Sequence, residues 1–238
     1  MILYGKNSIL ERLRRNPGTI QKIMLQENFD DPRFMKLIHR KEVLIERVKP
    51  RRLARMKPYD NLQGVAAKVS AFEYTEFRDL LKRGTGRRPT IIFLERIYDP
   101  RNVGAIIRTA ANFGRCAIVL PKHRACEINE SVLHVAAGGE NYVPIAAVSN
   151  ITTAIIAAKK SGYWVAGAVF DNAEDLRKVD LPFPLGIVLG SEGEGVRSGI
   201  EKHLDIRARI PMEGAQLSFN VSVACAIFIY EMSRKRIL

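Results

Sequence analysis

Gly186-Ile187-Val188-Leu189 runs apolar over four residues without a polar break and opens directly into Gly190-Ser191-Glu192-Gly193-Glu194-Gly195. An apolar run that does not alternate suits a parallel strand buried on both faces, whereas a strand with one wet face alternates with period two. Three other stretches read the same way: Ile91 to Leu94, Ala117 to Leu120 and Trp164 to Phe170. Helical stretches separate them. Val103 to Asn112 is predicted as a helix with Asn102 as its cap and Gly114 as its stop, and Ile151 to Lys160 as another, capped by Asn150 and closed by Gly162. Strand and helix in alternation predict an α/β fold: an open parallel sheet with helices on both faces, whose ligand sites lie in the loops at the carboxyl ends of the strands.

Upstream, the elements are shorter. A helix from Ser8 to Arg15 is stopped by Asn16-Pro17-Gly18, and a strand Ile20 to Leu25 follows. Pro32 opens a helix through Arg40, Val43 to Val48 is a strand, Pro50 to Met56 a third helix and Gln63 to Val69 a last strand. These elements predict a small α/β domain over residues 1–70. From Ser70 to Arg88 the pattern is lost. Gly84-Thr85-Gly86, set among basic residues and followed by Pro89, marks 71–88 as an exposed basic linker and 89–238 as the second domain. On that division, a chain beginning near Pro89 is expected to fold by itself.

The chain has 238 residues, 47% of them hydrophobic and 26% charged, a folded-protein profile rather than a disordered one. Its longest apolar runs, such as Cys225 to Tyr230, fall short of the roughly 18 residues a membrane helix needs. Met1-Ile-Leu-Tyr-Gly-Lys6 has no apolar signal core, so a cytoplasmic location is expected. Cys116, Cys126 and Cys225 are too few and too scattered for a disulfide framework or a four-cysteine zinc site and read as reduced packing residues. His39, His123, His134 and His203 share no ligand spacing, so no metal is expected; His123, in Pro121-Lys-His-Arg124 just after a strand, is the one histidine placed to contact a ligand.

The net charge of +13 is unevenly spread. Residues 1–88 carry 21 Lys and Arg against 10 Asp and Glu, and residues 89–238 carry 17 against 15. The densest run, Lys49-Pro-Arg51-Arg52-Leu-Ala-Arg55-Met-Lys57, holds five cations and no acid. Such a run suits phosphate neutralisation with counterion release, which points to nucleic-acid contacts at Arg51, Arg52 and Arg55.

Two nucleotide signatures are missing: no G-x-G-x-x-G follows the first parallel strand and no G-x-x-x-x-G-K-[ST] occurs. Three loops stand in their place. Asp99-Pro-Arg-Asn102-Val-Gly104-Ala-Ile-Ile-Arg108 offers a carboxamide, a glycine that permits close approach and a planar guanidinium fork. Gly190-Ser-Glu192-Gly193-Glu-Gly195 brackets carboxylates with glycines that free the backbone for a ligand. Ile210-Pro-Met-Glu-Gly-Ala-Gln-Leu-Ser218-Phe219-Asn220-Val-Ser222 leads into a small-residue helix running to about Lys235, with Ser218 and Asn220 able to serve as caps.

Together the three loops resemble the SpoU/TrmH (SPOUT) family of RNA ribose 2'-O-methyltransferases, whose signatures run Asn-x-Gly-x-x-x-Arg, Gly-x-Glu with further glycines, and Ile-Pro-Met with a later Ser-x-Asn-x-Ser. Leu3-Tyr-Gly-Lys-Asn-Ser-Ile9 and Gln63-Gly-Val-Ala66 resemble the small ribosomal-protein-like RNA-binding domain of the branch that modifies a guanosine of 23S ribosomal RNA. One position departs from the pattern: Phe219 stands where leucine is expected.

The resemblance implies a deep trefoil knot, S-adenosyl-L-methionine as cofactor, and a homodimer through the catalytic domain. It also implies catalytic roles for Asn102, Arg108, Glu192, Ser218 and Asn220, and cofactor binding by Gly190, Ile210 and Phe219. A guanidinium stays protonated, so Arg108 is better suited to clamp phosphate and stabilise a forming alkoxide than to act as the base, with Ser218 or an RNA phosphate relaying the proton. Two rivals remain: an enzyme acting on tRNA ribose, and a non-catalytic RNA-binding or ribosome-assembly protein.

Overall fold

The computed structural model describes residues 1–56, 62–82, 88–191, 193–215 and 217–236. The first sheet is built from β1 (Ile2–Tyr4), β2 (Ile20–Gln26), β3 (Ile45–Val48) and β4 (Val65–Val69), in the order β1-β4-β2-β3, with β2 and β3 parallel and the other pairs antiparallel. The helices α1 (Lys6–Arg15), α2 (Pro32–Lys41) and α3 (Pro50–Met56) connect them. Asp31 caps α2 by accepting from Phe34 N at 2.8 Å, and Pro32 takes the first helical position, where its missing N–H costs nothing.

After α4 (Phe77–Leu81) the second domain runs β5 (Thr90–Leu94), α5 (Pro100–Phe113), β6 (Cys116–Pro121), α6 (Glu130–Ala136), a 3-10 turn at Gly139–Asn141, β7 (Ile145–Val148), α7 (Ile151–Lys160) and β8 (Trp164–Ala168). It continues with β9 (Glu174–Asp175), β10 (Leu185–Leu189), α8 (Ser198–Glu201), β11 (Ile206–Arg209) and α9 (Val221–Arg236). The seven strands pair in parallel throughout, in the order β7-β6-β5-β10-β8-β11-β9. The unalternating apolar runs have their reason here. Ile92 and Leu94 of β5 join the core on one side of the sheet while Ile91 and Phe93 join the core on the other, so neither face meets water.

Three expectations change. Helix α5 begins at Pro100, and its cap is Asp99, which accepts from Arg101 N at 2.8 Å. Asn102 therefore lies in the first turn, not at the cap. The start of the segment expected as an exposed linker is packed: Tyr74 Oη accepts from Ile128 N, Thr75 N donates to Ile145 O, and Leu80 of α4 is fully buried against the second sheet. Residues 83–87, the glycine centre of that linker, lie outside the described residues.

The third change concerns the independence of the domains. One continuous core runs from Leu3, Ile9 and Leu13 of the first domain to Val132, Leu133 and Ala136 of the second. His134 stacks on Tyr4 with ring centroids 4.3 Å apart, giving this histidine a packing role. Arg12 reaches Glu140 at 3.0 Å, and both are buried. A chain cut at Pro89 would uncover the side of α6 that Leu3, Ile9 and Leu13 pack against, which argues against its folding alone.

Candidate active site

At the end of β10 the chain folds back on itself. Gly195 N donates to Ser191 O at 2.8 Å, and a Cβ on Gly190 would fall 2.0 Å from the carbonyl carbon and oxygen of Gly195, so only glycine fits there. Past β11 the chain passes through Ile210 and returns at Ser218 and Phe219 into α9. Asn220 caps that helix: its Oδ1 accepts from Ser222 N at 2.9 Å and from Ser222 Oγ at 2.6 Å, while its carbonyl accepts from Ala224 N. Gly190, Ser191 and Gly193–Gly195 of the glycine loop, Ile210, Ser218, Phe219 and the end of β8 line a cavity of about 240 Å³.

Gly190, Ile210, Ser218 and Phe219, all singled out from the sequence, line this cavity together. Asn220 Nδ2 donates to Asn102 Oδ1 at 2.9 Å, joining the start of α9 to the start of α5. Since Asp99 does the capping, the Asn102 carboxamide is available for this bond. Gly104 serves a different neighbour: a Cβ there would lie 2.6 Å from Val135 Cβ and 2.8 Å from the Val132 carbonyl, so its close approach is to α6.

Arg108 lies elsewhere. Six residues along a helix turn a side chain through about 120° net, and Arg108 lines a separate cleft of about 410 Å³ between the domains, with Asn7, Glu11 and Tyr142. Arg51, Arg52 and Arg55 are exposed on α3 in the first domain, and Arg52 is paired there with Glu46. Glu192 lies outside the described residues, as does Lys57 of the basic run. His123 is exposed on the loop after β6.

Sequence reasoning missed several cavity walls: Val169 and Phe170 at the end of β8, and Val221, Ala224 and Phe228 on α9. A signal was present. Positions 221, 224 and 228 recur with helical period, and a strand end in a parallel sheet is where a ligand wall belongs.

The lining suits a nucleoside-bearing sulfonium. Leu189, Phe170, Phe219 and Phe228 offer apolar surface for a flat purine, and the backbone of Gly190, Gly193, Gly195 and Ile210 borders the same space with hydrogen-bonding groups. Cys225 on α9 is fully buried, which pushes its thiol well above the usual range and keeps it an uncharged packing residue. Among the described residues, no group of three or more His, Cys, Asp or Glu side chains is placed to hold a metal ion, and no helix is long and apolar enough to cross a membrane.

The model of the SpoU rRNA methylase family matches residues 89–230, and that of the RNA 2'-O ribose methyltransferase substrate-binding domain matches residues 2–75. The chain belongs to the SpoU family. It is 36% identical over 99% of its length to an uncharacterized tRNA/rRNA methyltransferase of Synechocystis, of which it spans 62%. It is 33% identical over 98% of its length to a Bacillus subtilis protein assigned to the TrmH family of tRNA/rRNA methyltransferases, of which it spans 95%. Its fold matches that of an rRNA methyltransferase of Sinorhizobium meliloti with S-adenosylmethionine bound, at a TM-score of 0.80 and 22% identity, over 100% of this chain and 87% of that one. As a SpoU member the chain is an RNA methyltransferase that uses S-adenosylmethionine.

Proposed function

We propose that this chain methylates the 2'-hydroxyl of an RNA ribose, most specifically that of a guanosine in 23S ribosomal RNA. The observation carrying this reading is the convergence of Gly190, Ile210, Ser218 and Phe219 on one cavity, beside the bonded pair Asn102 and Asn220. S-adenosylmethionine, when bound, supplies an electrophilic methyl group. The chain's part is placement. The backbone of the glycine loop and Ile210 holds the cofactor, and the aromatic walls exclude water. Asn102 and Asn220 would orient the ribose, and Ser218 or an RNA phosphate would relay the hydroxyl proton away as the oxygen takes the methyl group, the methyl–sulfur bond breaking so that the neutral thioether leaves. Glu192 belongs to the same catalytic group.

Residues 1–70, with Arg51, Arg52 and Arg55, form the RNA-binding domain, 71–88 the basic connection and 89–238 the catalytic domain in this reading. The functional protein is a cytoplasmic homodimer. Val223 and Tyr230 lie exposed along α9 with Ile227 half-buried between them, an apolar stripe at helical spacing that, with Phe219 exposed just before the helix, a second copy would cover. An acceptor nucleotide lying between the cavity of one copy and Arg108 of the other would bring the guanidinium to the RNA phosphate. The trefoil knot is assigned to the same region, where the 210–220 segment returns beside the glycine loop.

The test is methyl transfer from labelled S-adenosylmethionine to undermethylated ribosomal RNA and to tRNA, with the modified nucleotide mapped. A 2'-O-methylguanosine in 23S RNA is expected. A tRNA product replaces the substrate assignment, and binding without transfer to either RNA favours the assembly-factor reading.

A further inference from the structure

The dipeptide that follows β5 touches the glycine loop at its start, middle and end without entering the cavity. Glu95 N donates to Leu189 O at 2.9 Å, beside the point where β10 gives way to the loop. Arg96 Nη2 pairs with Glu194, in the middle. Arg197 Nη2 lies 2.6 Å from Glu95 Oε1, just past the end. The Glu95 side chain is 2% exposed, while that of Arg197 is half exposed. Arg96 Nε sits 3.5 Å from the same Glu95 oxygen, so one buried carboxylate faces two guanidiniums. Neither Glu95 Oε1 nor Arg96 Nε has a directed hydrogen-bond partner, so charge holds Glu95 to the two guanidiniums, while Arg96 Nη2 donates a directed hydrogen bond to Glu194.

Arg96 also adopts φ +54°, a left-handed conformation uncommon for a residue with a Cβ, and the surrounding contacts hold it there. The loop so gripped contributes Gly190, Ser191, Gly193, Glu194 and Gly195 to the cavity wall, whereas Glu95, Arg96 and Arg197 are absent from that wall.

We propose that Glu95 is a positioning residue whose charge, acting through Arg96 and Arg197, holds Gly193, Glu194 and Gly195 where the cavity accepts S-adenosylmethionine. A glycine-rich loop has many competing conformations, and cofactor binding is weakened by whatever fraction of chains lies outside the competent one. The carboxylate raises that fraction without touching the ligand. The inference rests on the assignment of the cofactor to this cavity.

Titration of S-adenosylmethionine into the full chain by calorimetry tests it, with Glu95→Gln, Arg197→Ala and the double variant alongside the wild type. Each single variant is expected to weaken cofactor affinity about tenfold. The double variant should also lose about tenfold rather than the roughly hundredfold of independent sites, because both remove one coupled contact. Turnover at saturating cofactor should stay within about twofold of wild type, while KM for the cofactor rises. Unchanged affinity in either single variant, or multiplicative losses in the double, overturns the proposal. If Glu95→Gln does not fold, Arg197→Ala, at a half-exposed position, decides by the same KM and turnover split. Ala224→Leu, which fills the cavity, separates this test from that of the site: if the wild type and Ala224→Leu bind equally well, the cofactor lies elsewhere and the site assignment fails.

Discussion

Replacing Arg12 by methionine should undo the domain interface in a pH-dependent way. Arg12, on α1, is the sole cation paired with Glu140 among the described residues, and the two side chains are 7% and 1% exposed. Asn141 Nδ2 donates to the same carboxylate oxygen at 3.0 Å, while Glu140 Oε2 has no partner. Burial holds the Glu140 carboxyl above its ordinary pKa, with the Arg12 charge the largest effect opposing it. Leaving a buried carboxylate without its cation costs about 3–5 kcal/mol, against a total stability of about 5–15 kcal/mol for a typical protein. Because the folded-state pKa of Glu140 lies above the unfolded one, the native state binds the extra proton, and this group's contribution falls as pH rises through the folded pKa. Without Arg12 that pKa rises further. The deficit of Arg12→Met relative to wild type should therefore be widest near pH 7.5 and narrow in acid, as pH falls through the raised folded-state pKa of Glu140 and the carboxyl becomes neutral. Urea unfolding across that range measures it. Adding Glu140→Leu should recover most of the loss, since an apolar pair of similar volume avoids burying charge. A deficit under about 1 kcal/mol at pH 7.5, or one that does not shrink in acid, would refute this account.

Gly190→Ala should abolish cofactor binding or weaken it by at least about a hundredfold, because the added methyl overlaps the Gly195 carbonyl; calorimetry with the folded variant checks it. Neutralising Arg51 and Arg55 together should lower the slope of log RNA affinity against log salt by about 1.4–1.8, the value for two phosphate contacts. Arg52 is left out because Glu46 already pairs with it, and an unchanged slope in a filter-binding salt titration would mean that α3 is only a solvated face. A chain beginning at Pro89 should lose cooperative thermal unfolding and associate nonspecifically, as it lacks Leu3, Ile9 and Leu13 over α6 and buried Leu80 over the sheet; a sharp melt with intact cofactor binding would count against the shared core.

The fold was legible wherever burial writes a period into the sequence. Ile91 to Leu94 and Gly186 to Leu189 announced strands covered on both faces, and Asn150 announced a cap that accepts from Thr153 N at 3.1 Å. Asn102 misled because Asp99 and Asn102 are both good caps, and the choice fell to Pro100, which fits the first helical position and fixes the start one residue after Asp99. The packed segment before Pro89 was hidden because its contacts are long-range: Tyr74 answers to Ile128 and Leu80 to the sheet, and nothing local to residues 71–82 records either. The domain interface was hidden for the same reason. Arg12 looks like one more basic residue in a basic domain until Glu140 is placed beside it.

The three loop motifs, scattered over more than a hundred residues, meet because of strand order. β5, β10, β8 and β11 are consecutive neighbours in the sheet although the chain visits them in the order β5, β8, β10, β11. All run the same way, so their carboxyl ends lie along one edge. There β5 delivers Asn102, β10 the glycine loop, β8 Val169 and Phe170, and β11 the segment to Asn220. Inserting β10 between β5 and β8 has a second effect. It sets the loop directly beside Glu95 and Arg96, whose contacts with Leu189 and Glu194 need adjacent strand ends. With β8 beside β5 instead, Asn102 would be separated from the glycine loop by a further strand spacing of about 4.8 Å. The site thus depends on this one inversion of strand order, which no local period in the sequence encodes.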